Sequence, residues 1–284
     1  MNKKFKINEI LTEKALSPTQ IDIADFVINP YRGCQYGCIY CYAKNNKNVI
    51  NRVDDWGNFV DVKINFADRL KEELELNKPG RVLIGSVTEV FQPVEENYRI
   101  TEQVLVLLKS YNIPFVLLTK SVMIQNYIDL LLYSEENEIY FTINSKIVKE
   151  LFEPVAPSQQ LRVQVIEKLV SAGIKVNIYI SPFFPELSDY EEIFMLIKNL
   201  PEKHKIGLYF ESYNIQAGTW NEISKMLDVR ILKKFEQIYK TESAYYDYWN
   251  TIKQNITEFN ENYGFLLKFF IYPYNNYYNF FSYK

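Results

Sequence analysis

The sequence predicts an α/β fold built on a parallel sheet. Six short apolar runs are bounded by turn residues, and between them lie stretches with helical periodicity. Such runs are typical of buried parallel strands. Alternating units of this kind need right-handed crossovers. The runs lie near 26–29 and at 81–85, 114–118, 138–143, 175–180 and 205–210.

The helical stretches between these strands are predicted at 99–110, 125–133 and 159–172. Ser158 can cap the last of them and Gly173 can end it. After residue 213 the helical periods become longer, at 219–240 and 243–258, and an aromatic tail follows at 269–281.

The sequence therefore predicts a core over residues 1–215 and a C-terminal helical extension over 216–284. We interpret the extension as an appendage that packs on the open side of the core. The alternative is that its aromatic rings form a wall for a base or a tyrosine-containing peptide, since flat rings stack on such substrates.

Composition excludes several classes of protein. The 284 residues carry 32 Lys and Arg against 35 Asp and Glu, a net charge of −3, so general binding of nucleic acid is not expected. With 48% hydrophobic and 24% charged residues the chain is not disordered. No apolar run reaches the ~18 residues of a membrane span, and the first residues do not resemble a secretory signal. We expect a cytoplasmic protein without membrane contact.

Three cysteines lie within eight residues, at Cys34, Cys38 and Cys41, and the chain contains no fourth. Disulfides between such close neighbours would close strained loops. A structural zinc site needs four ligands, and the one histidine, His204, is far away in sequence. Zinc bound by a non-enzymatic protein stays an alternative. Three thiolates can instead hold an iron–sulfur cluster with one iron left open.

The pattern C-x3-C-x-aromatic-C resembles the signature of radical S-adenosylmethionine (SAM) enzymes. The resemblance implies a [4Fe–4S] cluster on Cys34, Cys38 and Cys41, with the amino and carboxylate groups of SAM on the fourth iron. One-electron reduction would then cleave SAM to a 5′-deoxyadenosyl radical. The resemblance also implies a partial (β/α)6 barrel of TIM-like type, in which the cluster loop follows the first strand at 26–29. It further implies an external electron donor such as flavodoxin or ferredoxin.

Further blocks resemble the spore photoproduct lyase-like branch of that superfamily and cover about residues 7–215. They flank the cysteines and continue along the chain in order. The blocks are 29–34, 37–43, 56–63, 85–89 with 92–95, 118–121, Glu153-Pro154 with Pro157 and Arg162, 172–174 and 182–185.

This resemblance implies roles for four matched residues. Tyr40 would offer its backbone to the adenine, and Thr88 would approach the methionyl group of SAM. Lys120 would reach the carboxylate of SAM. Thr142 would line the methionyl or ribose side.

One position departs from the branch. Spore photoproduct lyase ends its reaction with a cysteine that returns a hydrogen atom to the substrate, and here that position is Ser86. The two tyrosines of the radical relay match Tyr40 and Tyr42, so Tyr42 is a candidate relay residue without its thiol. We therefore expect a radical SAM enzyme that abstracts hydrogen from an unidentified substrate. DNA lesion repair of the spore photoproduct lyase type is the disfavoured alternative.

Overall fold

The computed structural model describes residues 5–76, 78–275 and 277–281. Strands and helices alternate through most of this chain. The strands in chain order are β1 (Lys6–Ile10), β2 (Ser17–Pro18), β3 (Phe26–Ile28), β4 (Tyr31–Gly33), β5 (Phe59–Lys63), β6 (Val82–Ile84), β7 (Phe115–Thr119), β8 (Glu138–Thr142), β9 (Lys175–Phe183), β10 (Gly207–Ser212) and β11 (Leu266–Phe270).

Helices connect most of the strands of the main sheet, and three follow one another near the C-terminal end. They are α1 (Phe66–Leu76), α2 (Glu95–Tyr98), α3 (Ile100–Ser110), α4 (Ile128–Leu131), α5 (Lys146–Phe152), α6 (Gln159–Ser171), α7 (Tyr190–Ile197), α8 (Ala217–Met226), α9 (Val229–Tyr239) and α10 (Glu242–Asn260). Short 3-10 helices cover Tyr42–Asn45, Val122–Tyr127, Lys203–Lys205 and Tyr277–Phe280.

The main sheet has eight strands in the order β11-β10-β9-β8-β7-β6-β3-β2. The seven strands from β3 to β11 pair in parallel, and β2 adds an antiparallel edge. Within the described ranges β2 and β11 are not paired with each other, so the sheet is an open, partial barrel. The predicted α/β fold with a partial barrel is confirmed.

All six predicted strands are present, and so are the helices α3 and α6. Ser158 caps α6 by accepting a hydrogen bond from the Leu161 N–H. Gly173 follows this helix with a positive φ of 86°, a conformation that glycine adopts without strain. The capping residues thus place the ends of α6 as the sequence predicted.

Two predicted helices differ in the structure. The stretch at 125–133 is largely the 3-10 helix Val122–Tyr127 followed by the single turn α4. The stretch at 219–240 is split into α8 and α9. The reason is Asp228, whose carboxylate accepts hydrogen bonds from the Arg230 and Ile231 N–H groups and so starts a new helix.

The aromatic tail begins with a strand that the sequence did not predict. β11 pairs in parallel with β10, and α8, α9 and α10 form the connection between the two strands. Phe269 of β11 stacks on Phe210 of β10 with 5.6 Å between the ring centres. The first part of the tail therefore extends the main sheet. The division of the chain at residue 215 stays a prediction.

A small second sheet has the order β1-β5-β4. Its strand β4 lies between β3 and the cysteine loop, because it ends at Gly33, immediately before Cys34. The loop therefore follows β3 only after this inserted strand, whereas the sequence predicted that it would follow β3 directly. Pairing of β4 with β5 adds a second anchor at the start of the loop.

The core lies mainly between the main sheet and its helices, where the outward-facing side chains of the strands are fully buried. A smaller cluster on the other face of the sheet centres on Leu83, Val116 and Tyr140. None of the helices in the described part of the chain is long and apolar enough to cross a membrane.

If β11 belongs to the sheet, its half-buried Phe269 should contribute to stability. We expect Phe269→Ala to lower the free energy of unfolding by about 1–3 kcal/mol, because it removes the ring that stacks on Phe210. Urea unfolding measures this change. Leu266→Ala, at a position 53% exposed in the same strand, is the control and should change stability by less than about 0.5 kcal/mol. Equal effects of the two variants would contradict the strand assignment.

Candidate active site

The three cysteines lie in a tight loop directly after β4. Cys34 and Cys38 are buried, and Cys41 is partly buried. Within the loop the Gly37 N–H donates to the Cys34 carbonyl at 3.2 Å, and the Cys41 N–H donates to the Cys38 carbonyl at 3.1 Å. These turns bring all three thiols to the end of the sheet where the parallel strands finish.

Two glycines allow the loop to pack against the segment that precedes β5. Gly37 and Gly57 both have positive φ, at 57° and 90°. A Cβ atom on Gly57 would lie 2.9 Å from the Gly37 Cα, closer than real side chains approach a backbone. Both positions therefore require glycine, which explains why two distant glycines accompany the cysteines.

Burial raises the pKa of each thiol. The pKa of Cys34 rises to about 12, first because the group is buried and then because Cys41 lies near. The pKa values of Cys38 and Cys41 are also raised, again mainly by burial, although Lys120 acts in the opposite direction. A positively charged group beside these thiols would favour their thiolate forms.

A buried ion pair lies beside the loop. Arg162 of α6 donates from Nη2 to Glu153, and the side chains of both residues are fully buried. Glu153 also accepts hydrogen bonds from the Tyr40 hydroxyl, at 2.5 Å, and from Asn144 Nδ2, at 2.8 Å. Arg162 further donates to the Thr142 carbonyl at 3.2 Å. The pair thus joins the cysteine loop to the end of β8.

A second buried carboxylate organises the end of β7. Glu89 accepts hydrogen bonds from the Thr119 hydroxyl, at 2.8 Å, and from the Lys120 N–H, at 2.9 Å. The Lys120 side chain points to the loop, with its Nζ 5.8 Å from the centre of the Tyr40 ring. Burial lowers the pKa of Lys120, but Cys38 and Glu153 outweigh it and the net shift is upward. Lys120 therefore remains an ammonium group.

Thr88 connects β6 to the loop. Its hydroxyl donates to the Gly33 carbonyl at 2.6 Å and accepts from Gln92 Nε2 at 3.2 Å. The predicted residues Tyr40, Thr88 and Lys120 are thereby brought to one place around the cysteines. Thr142 ends β8 and is buried, with its carbonyl bound to Arg162.

Tyr42 lies on the other side of Cys41. Its hydroxyl donates to the Ser86 carbonyl. The Ser86 hydroxyl accepts from Asn29 Nδ2 at 3.0 Å. The predicted relay tyrosine and the position without its thiol are therefore direct neighbours.

No role was predicted for several residues of this site. Glu89, Glu153 and Arg162 were named only as parts of matched motifs, and Asn144 and Glu211 not at all. Glu211 is the last residue but one of β10 and accepts hydrogen bonds from the Ser181 hydroxyl and, at 2.8 Å, from the Tyr272 hydroxyl. One signal was available for Asn144 and Glu211: each lies directly after a predicted strand, at the same edge of the sheet as the cysteines.

Comparison with known proteins identifies the family. The family model described as Radical SAM superfamily matches residues 28–199, which is more than half of the chain. The chain belongs to the radical SAM superfamily. Membership of this superfamily implies reductive cleavage of SAM, radical chemistry and an iron–sulfur cluster.

Individual proteins and solved structures are also similar to this chain. An uncharacterised protein of Methanocaldococcus jannaschii is 32% identical over 260 residues, which cover 89% of this chain and 96% of that protein. The radical SAM Nalpha-GlyT isomerase of Pseudomonas phage M6 is 25% identical over 224 residues, 76% of this chain and 46% of the isomerase. The structure of spore photoproduct lyase complexed with dinucleoside spore photoproduct has a TM-score of 0.67 at 14% identity, covering 94% of this chain and 82% of the lyase. This last likeness shows a shared fold.

The Glu153–Arg162 pair of this radical SAM protein leads to a pH-dependent prediction. Arg162 and Lys120 hold the pKa of Glu153 at about 2 despite its burial, below its ordinary value of 4.5. A depressed pKa gives stability that is complete above 4.5 and is lost as the pH falls toward 2. We expect Glu153→Gln to be destabilised at neutral pH, because Arg162 loses its partner.

The difference in free energy of unfolding between wild type and Glu153→Gln should therefore shrink as the pH falls from about 4.5 to about 2. Urea unfolding across this range measures it. Glu135→Gln, at an exposed position, is the control and should differ little from wild type at any pH. A wild-type advantage that stays constant through this range would contradict the assignment.

Proposed function

We propose that the protein is a radical SAM enzyme in which Cys34, Cys38 and Cys41 hold a [4Fe–4S] cluster. The observation that carries the proposal is the set of three thiols, with no fourth cysteine in the chain, in one loop at the carboxyl ends of a parallel sheet. When bound, the cluster supplies an open iron for SAM and the electron that cleaves it. Its electron donor would be external, such as flavodoxin or ferredoxin, and its compartment the cytoplasm.

The donor set fits such a cluster. Burial raises the pKa of all three thiols, so they need a neighbouring positive charge to ionise, which iron provides. In the described ranges no three His, Cys, Asp or Glu side chains are grouped as ligands of a single metal ion. A cluster would take the three thiolates on separate irons, so Cys34, Cys38 and Cys41 need not converge on a single ion.

Lys120 and its neighbours suit the cofactor SAM. Among the described residues the Nζ of Lys120 makes no hydrogen bond or ion pair, although it is half-buried, so its three N–H groups remain free for a carboxylate. Asn144 Oδ1 is buried and has no hydrogen-bond partner in the part of the chain that the structure describes, so it can accept a hydrogen bond from an amino group. The Thr88 hydroxyl already donates to Gly33, so we propose that Thr88 positions the loop. Tyr40 and Thr142 would line the cofactor.

The substrate would lie beyond the cofactor, beside Tyr42, Ser86 and Glu211. Glu211 makes hydrogen bonds to hydroxyl groups and no ion pair within the described chain, so it can accept an N–H group of a substrate. We propose Tyr42 as a relay residue for the radical. Because the chain has no cysteine outside the loop, we propose that the reaction ends without a protein thiol.

An isomerisation meets this condition, because the hydrogen atom first removed is returned to the product. The name of the phage relative, an isomerase, supports this class. Repair in the manner of spore photoproduct lyase is disfavoured by Ser86.

The first test is cleavage of SAM. We expect protein reconstituted anaerobically with iron and sulfide to bind about four irons per chain. With dithionite and SAM it should form 5′-deoxyadenosine, measured by chromatography. The triple variant Cys34→Ala, Cys38→Ala, Cys41→Ala should neither bind the irons nor form 5′-deoxyadenosine. Zinc bound in place of iron, or a full cluster with SAM bound but never cleaved, would overturn the proposal.

Lys120→Met tests the cofactor site. Loss of a charge-assisted hydrogen bond to the carboxylate of SAM should weaken SAM binding by at least about tenfold, measured by calorimetry on cluster-loaded protein. Lys234→Met removes an exposed lysine of α9 and is the matched control, with no expected change. Iron content should be normal in both variants. Unchanged affinity in a folded, cluster-loaded Lys120→Met protein would remove Lys120 from the site.

A further inference from the structure

A cavity of about 140 Å³ lies behind the cysteine loop, at the edge of the main sheet where β2 and β3 pair. It is lined by residues of β2, β3, β4 and β5 and by residues that follow the cysteine loop, among them Ala43 and Asn46. None of the residues that line it is acidic. Its polar side chains include three cationic and three amide groups: Lys14, Arg32, Lys63, Asn29, Asn46 and Asn48.

The positive charge of this cavity is only partly balanced. Asp61 is buried and accepts hydrogen bonds from two guanidinium groups, at 2.6 Å from Arg32 and at 2.8 Å from Arg52. Arg52 has a second carboxylate partner, Asp54 at 3.3 Å, whereas Arg32 pairs only with Asp61 in the described part of the chain.

Among the half-buried cations of the cavity, Lys63 has the positive charge with the least compensation by neighbouring groups. Its Nζ donates to the Asn29 carbonyl at 2.7 Å, and no ion pair joins it to a carboxylate in the described part of the chain. Burial, and then the nearby Arg32, lower its pKa to about 8. An anion in the cavity would restore the charge balance and fill the remaining donor positions of the ammonium group.

The cavity also adjoins the proposed reaction site. Asn29 lines it and, from the same side chain, donates to the Ser86 hydroxyl and accepts from the Val87 N–H at 3.1 Å. Ser86 in turn is the residue whose carbonyl binds Tyr42. Asn29 and Ser86 therefore connect the cavity to Tyr42 through hydrogen bonds.

We propose that this cavity binds an oxyanion of the substrate, a phosphate or carboxylate group, through Lys63, Arg32 and the asparagine amides. This inference rests on the proposed function, because it assigns the anion to the molecule that the radical attacks. Lys63 and Arg32 act here as binding residues. Planar guanidinium and amide groups beside an ammonium group are the donors that oxyanions prefer.

The test is calorimetric titration of cluster-loaded protein with inorganic phosphate and, separately, with acetate. We expect Lys63→Met to weaken binding of the preferred anion by at least about tenfold. Asn48→Asp, at an exposed position that tolerates substitution, places a carboxylate at the cavity and should also weaken it. Lys234→Met should bind as wild type does.

Each outcome has a meaning. If wild type prefers either phosphate or acetate, and Lys63→Met and Asn48→Asp both bind that anion more weakly, the result supports the proposed anion site and identifies the anion. Three results would overturn the proposed anion site: no binding of either anion to wild type, binding to both variants as tight as to wild type, or displacement of the anion by SAM. Displacement by SAM would show that the cavity belongs to the cofactor. Formation of 5′-deoxyadenosine, assayed on the same samples, separates a failure of the cavity from a failure of the proposed function.

Discussion

The site depends on the buried ion pair between Glu153 and Arg162. Burying two charges is costly unless each finds all its partners, and here the partners come from different parts of the chain. Glu153 holds the hydroxyl of Tyr40, in the cysteine loop, and Arg162 holds the carbonyl of Thr142, at the end of β8. Neither the loop nor the strand end can move without leaving a buried charge uncompensated. The pair therefore fixes the loop relative to the sheet.

Electrostatic balance around the loop follows from the same arrangement. The thiols are buried among Lys120, Arg162 and the almost buried Lys44, whose Nζ lies 2.9 Å from Glu222. Positive groups near an iron–sulfur cluster favour its reduced state, because reduction adds negative charge in a place that water screens poorly. Glu153 and Glu89 limit this effect, but each is committed to hydrogen bonds. Lys120 retains a free ammonium group beside the thiols, where a carboxylate of SAM would complete the balance.

Much of the fold was predictable because the local sequence of a buried parallel strand is a short apolar run between turn residues. β11 was not, since its residues 266–270 alternate between exposed and half-buried positions within a longer aromatic stretch. These residues form a strand because they pair with the free edge of β10. The split between α8 and α9 depends on one capping side chain, Asp228. Features fixed by a single tertiary contact are the ones that periodicity misses.

The site divides in the same way. The cysteines were predicted from their number and spacing, and the residues matched to a motif were predicted from the resemblance to a known family. Glu211 and Lys63 were not, since each is an ordinary charged residue at the end of a strand until its neighbours are known.

Both residues matter for the same physical reason: each is a half-buried charge without an ionic partner in the described chain. A charge in that position is stable only if it meets solvent or a ligand. The Lys63 ammonium is linked to the contact between Tyr42 and Ser86 through Asn29, and the Glu211 carboxylate lies close enough to Tyr42 to raise its pKa. A substrate that carries both an N–H donor and an oxyanion would satisfy both charges at once, and it would be held at its two ends across the tyrosine.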